Sequence, residues 1–126
     1  MFVLNIHESA EDYLESILML KEEKGFARSV DIAGKLGVTK PSVSIAMKHL
    51  RENGYITVDD DNLISLTEKG EAIASRIYDR HQTLTQYLVT LGVDEKIARQ
   101  DACKMEHDLS EETFHAFKDQ LKKAEK

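Results

Sequence analysis

Cys103, Glu106 and His107 stand at positions i, i+3 and i+4 of the segment Cys-Lys-Met-Glu-His. On a helix that spacing puts a soft thiol, a carboxylate and an imidazole on one face within a turn. Three such groups converging have little structural purpose unless a cation joins them. The mixture of S, N and O donors suits Fe(II), Mn(II), Co(II) or Zn(II), and disfavours Ca(II) and Mg(II) with their oxygen shells. Two other segments offer partners. His81 falls within an apolar stripe, four residues after Ile77 and three before Leu84. A histidine so placed is more often a hydrogen-bonded core residue than a ligand. Glu8, Glu11, Asp12 and Glu15 follow i, i+3, i+4, i+7. Acids near a helix start are also favoured by the helix dipole, at roughly 0.3–1 kcal/mol each. Together the three segments fit one transition-metal site assembled from three helices. A thiolate and a neutral imidazole are the ligating forms, so metal affinity is expected to fall on acidification.

These residues need elements to position them. The spacing predicts a first helix over 9–24, capped by Ser9, striped with Tyr13, Ile17 and Leu20, and ended by Gly25. Ser29 is expected to cap a short second helix that faces Val30, Ile32, Ala33 and Leu36 inward and closes at Gly37. After a tight turn, Thr39 or Lys40 caps a third helix with Pro41 in its first turn, where a missing N–H costs nothing. Val43, Ala46, Met47 and Leu50 form its core face, and Lys40, Ser44, Lys48 and Arg51 its polar face. Two helices joined by a short glycine-containing turn, the second basic outside, is helix-turn-helix grammar. Short strands over 55–58 and 63–66 follow, around the turn Asp59-Asp60-Asp61-Asn62, and read as a wing with an unusually acidic tip. Thr67 then caps a long helix to about Leu91, Asp94 caps another to about Asp108, and Ser110 caps the last.

The expected architecture is therefore mostly α. A winged helix-turn-helix DNA-binding domain occupies residues 1–70, and an all-helical dimerisation and metal-binding domain residues 71–126. A net charge of −6 at first argues against DNA, but residues 26–51 carry five basic residues against Asp31 alone. Local charge decides whether a surface meets phosphates. Arg28, Thr39, Lys40, Pro41, Ser42, Ser44 and Lys48 are the residues expected to contact duplex DNA. Such modules also serve as protein docking units, and a basic stripe can be simply a solvated face. The ordered set of three helices, hairpin and local charge favours DNA.

Other classes are disfavoured. No apolar run approaches the roughly 18 residues of a membrane span. The first residues lack the basic start and small-residue cleavage site of a secretory signal. A lone cysteine excludes an internal disulfide framework, and all of this fits the cytoplasm. Beyond the candidate ligands there is no further nucleophile or acid–base set, so no enzyme and no small-molecule substrate are expected.

The chain resembles the diphtheria toxin repressor family of iron- and manganese-dependent regulators, in particular its short manganese-type members without the SH3-like third domain. The matching stretches are Ser9-Ala10-Glu11-Asp12-Tyr13-Leu14-Glu15, Ser29-Val30-Asp31-Ile32-Ala33, Val38-Thr39-Lys40-Pro41-Ser42-Val43-Ser44, Leu66-Thr67-Glu68-Lys69-Gly70, Arg80-His81 and Glu106-His107-Asp108-Leu109-Ser110. The resemblance implies a homodimer that binds palindromic operators when loaded with Fe(II) or Mn(II), with Co(II) or Zn(II) as surrogates, and represses metal-uptake genes. It implies Asp12, Glu15, His81, Glu106 and His107 as ligands. Cys103 departs from the manganese type, which usually has a glutamate able to bridge two metals, and looks like the cysteine of iron-type repressors. The iron type's ancillary site is not matched, since its further ligands correspond to Thr85 and Arg99. Ile97, Leu109, Phe114 and Phe117 are the expected dimer contacts.

The implied mechanism has metal linking Asp12, with Glu15, to His81, Cys103, Glu106 and His107. That link fixes two recognition helices for major grooves about 34–36 Å apart. The rival reading is a winged-helix regulator that responds to an organic ligand or to thiol redox at Cys103.

Overall fold

The computed structural model describes residues 2–124, with side chains from residue 9 onward. Glu8 lies outside the residues whose side chains are described. In chain order the elements are α1 (Phe2–Lys24), α2 (Ser29–Leu36), α3 (Lys40–Glu52), β1 (Ile56–Val58), β2 (Ile64–Leu66), α4 (Glu68–Thr90), α5 (Glu95–Met105) and α6 (Glu111–Ala124). The chain divides into two compact units, Met1–Ser75 and Arg76–Lys126, with the division inside α4. No helix among the described residues is long and apolar enough to cross a membrane.

Unit 1 is the expected winged helix-turn-helix. Leu14, Ile17 and Leu20 of α1, Ile32 and Ala33 of α2, and Val43, Met47 and Leu50 of α3 share one core with Ile56 and Ile64 of the hairpin. Each fully buried Leu or Ile stabilises the unit by roughly 1.5–3 kcal/mol. Gly37, in the left-handed conformation, ends α2, its N–H and that of Val38 both donating to Ala33 O. Thr39 caps α3, its Oγ1 accepting from Ser42 N at 3.3 Å. The strands pair antiparallel, with Thr57 opposite Ser65. Ile64 N donates to Ala27 O at 2.8 Å, so the segment before α2 also joins the hairpin. The acidic wing tip has a structural use, because Asp59 Oδ1 accepts from the N–H groups of Asp61 and Leu63, each at 2.9 Å, and closes the turn. At the start of α4, Thr67 Oγ1 donates to Gly54 O at 2.6 Å and accepts from Gly70 N at 3.2 Å. A side-chain carbon at Gly70 would overlap the Tyr55 carbonyl, so only glycine lets α4 begin this close to the hairpin.

Three expected boundaries differ. Helix α1 begins at Phe2, leaving Ser9 inside it, because nothing between Phe2 and Ser9 breaks a helix. Arg28, extended and with no side-chain cap, precedes α2, and its carbonyl accepts from Asp31 N and Ile32 N; Ser29 is the first helical residue. Helix α5 stops at Met105, so Glu106 is its C-cap and His107 lies in the following turn. The physical reason lies in unit 2, where a buried arginine takes the carbonyls of Glu106 and Leu109. In that unit Ile77 and Leu84 of α4, Ala98 and Ala102 of α5, and Phe114 and Leu121 of α6 are buried.

Candidate metal centre

His81 points from the middle of α4, Cys103 from the last turn of α5, and Glu106 from its C-cap. One donor atom of each lies within 4.8 Å of the others. His81 Nδ1 is 3.1 Å from Glu106 Oε2, and His107 Nε2 is 3.5 Å from Glu106 Oε1. Glu106 is fully buried and the His107 side chain is 3% exposed, whereas Cys103 reaches the surface. A carboxylate so deep needs cationic or hydrogen-bonding neighbours. Two imidazoles supply part of that need, and a thiol on the same rim adds a soft donor. Ligands at about 2.0–2.3 Å from one ion stand at most about twice that apart, so the cluster fits a divalent transition metal. Asp12 is half-buried and Glu15 buried on α1 of unit 1, one turn apart.

Sequence reasoning missed the residue that shapes this centre. Arg80 is 4% exposed. Its Nη1 donates to Glu106 O at 3.0 Å and Leu109 O at 2.9 Å, and its Nη2 to Glu111 Oε1 at 2.6 Å. Its guanidinium lies 5.2 Å from the Phe114 ring centroid. The planar fork of an arginine reaches these two carbonyls and the carboxylate from two nitrogens held in a rigid plane, a spread that the single ammonium nitrogen of a lysine does not reproduce. It thereby fastens the turn that carries Glu106 and His107 against α4, beside His81. The signal was present: Arg80 is three residues after Ile77 and four before Leu84, on the buried stripe. Arg80→Gln is expected to weaken Mn(II) binding by about tenfold or more, since groups that orient ligands are typically worth ~10–100-fold. Arg80→Lys should recover little. Competition with a chromogenic chelator measures this, and unchanged affinity in both variants would mean that other contacts hold the turn.

Thr85 and Arg99 are not arranged as ligands. Thr85 Oγ1 donates to His81 O at 2.8 Å, and Arg99 pairs with Glu95 at 2.9 Å. Both line a cavity of about 480 Å³ that His81 also reaches. A second cation there would meet the guanidinium charge. Of the expected dimer contacts, Ile97 is exposed and Leu109 half-buried. Phe114 is buried, and half-buried Phe117 packs on Tyr87 with ring centroids 4.9 Å apart.

In unit 1, Arg28, Thr39, Lys40, Pro41, Ser42, Ser44 and Lys48 are all exposed. Arg28, Ser44 and Lys48 line a groove between the start of α2, one flank of α3 and the hairpin. Arg51, placed on the polar face from its spacing but not assigned to the interface, lines it too. Three cations around one groove suit phosphate contacts. Thr39 and Ser42 bond each other at 2.8 Å, so their side chains serve the cap as well.

Known proteins match both parts of the chain. The family model described as the iron dependent repressor N-terminal DNA binding domain matches residues 5–62. That described as the iron dependent repressor metal binding and dimerisation domain matches residues 67–126. The transcriptional regulator MntR of Escherichia coli O6:H1 is 43% identical over 111 residues, which are 88% of this chain and 72% of that protein. Among solved structures, T. acidophilum IdeR superposes with a TM-score of 0.80 at 28% identity, over 88% of this chain and 53% of that one. The manganese regulator SloR gives 0.78 at 28% identity, over 90% and 53%. The chain thus spans about half the length of these two structures.

Proposed function

The chain belongs to the iron-dependent repressor family, and from that premise we infer that it is a metal-dependent DNA-binding transcriptional repressor of metal-ion homeostasis genes, not an enzyme. The observation that carries the reading is the convergence of His81, Cys103 and Glu106 within 4.8 Å in unit 2 of a chain whose unit 1 is a winged helix. Residues 1–70 serve as the DNA-binding half and residues 71–126 as the dimerisation and metal-binding half. His81, Cys103, Glu106 and His107 are the ligands of the second half, and Asp12 with Glu15 those of the first. A bound Fe(II) or Mn(II) ion supplies a divalent charge shared by several donors, a cross-link no single hydrogen bond equals.

The residues do the rest. Glu106 gives a fully desolvated negative charge, with His81 and His107 on its two oxygens. Arg80 holds that carboxylate's backbone in place. Arg28, Lys48 and Arg51 neutralise phosphates, while the outer face of α3 enters the major groove. In a homodimer two such faces meet a palindromic operator, in the cytoplasm, where metal-uptake genes are the targets. The contact between the two copies is assigned to Ile97, Leu109, Phe114 and Phe117, of which Ile97 is exposed and Phe114 buried within its own unit.

Titration with Co(II) tests the site. Wild-type protein is expected to develop a thiolate-to-cobalt absorption that saturates with added metal, and Cys103→Ser to lose that band while keeping its helical circular dichroism. Absence of the band in the wild type would remove Cys103 from the ligand set.

A further inference from the structure

Ile45 is 61% exposed, yet it sits on the helix assigned to the major groove. Val43, Met47 and Leu50 are buried and fix the inward side of α3. At 100° per residue, Ile45 then falls near the middle of the opposite side. Pro41 lies one turn before it, and Lys48 and His49 three and four residues after; all three are exposed. Arg28, Lys48 and Arg51 line the neighbouring groove, where their charges suit phosphates beside this point. A β-branched hydrocarbon in the first half of a recognition helix has no use for phosphate and offers no hydrogen bond to a base edge. The one apolar feature that the major groove presents is the 5-methyl group of thymine.

We propose that Ile45 is a specificity-determining residue that packs on a thymine methyl, so that the chain selects an oriented A·T pair at one position of each half-site. The proposal rests on the DNA-binding reading of α3. Its polar neighbours Ser44 and Lys48 read or anchor the adjacent positions, and the rigid side chain of Ile45 loses little rotamer freedom on contact. Removing the methyl costs about fourfold in affinity per half-site, the equivalent of roughly 0.8 kcal/mol for one buried CH₂-sized group.

The test starts with enrichment of binding sites from a random duplex library by full-length protein loaded in parallel with Mn(II), Fe(II) or Co(II). Each thymine of the enriched site is then replaced by deoxyuridine, which removes the methyl alone, for wild type and Ile45→Ala. The wild type is expected to lose about fourfold at one thymine per half-site, and Ile45→Ala to be indifferent there with its sensitivity elsewhere unchanged. Ile45→Asn should shift the enriched base at that position, because an amide reads adenine through N6 and N7. If the wild type tolerates deoxyuridine everywhere, or if Ile45→Ala remains as sensitive as the wild type, the proposal is overturned while the DNA-binding reading stands. Enrichment of no sequence with any metal would overturn both.

Discussion

Replacing Glu106 by glutamine is expected to weaken Mn(II) or Co(II) binding by at least about 100-fold while leaving the metal-free fold intact. The side chain is fully buried, one oxygen 3.1 Å from His81 Nδ1 and the other 3.5 Å from His107 Nε2. Glutamine keeps the shape and can still hydrogen-bond His81, but it carries no charge and is a poor ligand. Groups that only orient ligands are already worth ~10–100-fold, so a charged ligand should exceed that range. Glutamine is isosteric with the buried carboxylate and remains a hydrogen-bonding group, so the metal-free variant is expected to stay folded and to melt close to the wild-type temperature in chelator. Calorimetric metal titration and thermal melts in EDTA, run on the same preparation, separate the two effects. Wild-type affinity in Glu106→Gln would place the metal elsewhere.

What the sequence made legible was local. Helix α3 and its cap, the stop at Gly37 and the wing follow from periodicity and turn chemistry over a few residues. Cys103 and Glu106 were legible as ligand types, because their spacing brings them together whether or not the helix continues past Met105. What sequence reasoning missed depends on partners distant in the chain. The stop of α5 at Met105 goes with Arg80, 26 residues before Glu106, whose guanidinium takes the carbonyls of Glu106 and Leu109 in place of further helical donors. The early start of α1 shows the converse: Ser9 is a good cap only where the preceding chain leaves the helix, and here it does not. The angle of Ile45 on α3 is readable from periodicity, but an exposed apolar residue there carries no polar or charged signal in the sequence. The rival thiol-redox reading of Cys103 lost ground once the thiol stood beside His81 and Glu106.

The largest functional effect should be the dependence of DNA binding on metal. Linkage sets its form: if metal ligation and DNA binding favour the same state, metal tightens DNA binding by the factor with which DNA tightens metal binding. Coupling of about 1–3 kcal/mol, the usual range, gives roughly 5–150-fold. DNA affinity of the chelated and the loaded protein alike is expected to fall with salt, as the proposed phosphate contacts of Arg28, Lys48 and Arg51 would require. Metal dependence at fixed ionic strength is therefore the discriminating quantity. The most direct measurement is a fluorescence-anisotropy titration of an enriched duplex with chelated protein and with protein loaded with Mn(II), Fe(II), Co(II) or Zn(II). Tightening of about 5–150-fold with at least one ion, lost in Glu106→Gln, is the predicted result. Equal affinity for chelated and loaded protein would contradict the account, leaving a winged-helix DNA-binding protein whose metal site does not govern its DNA binding.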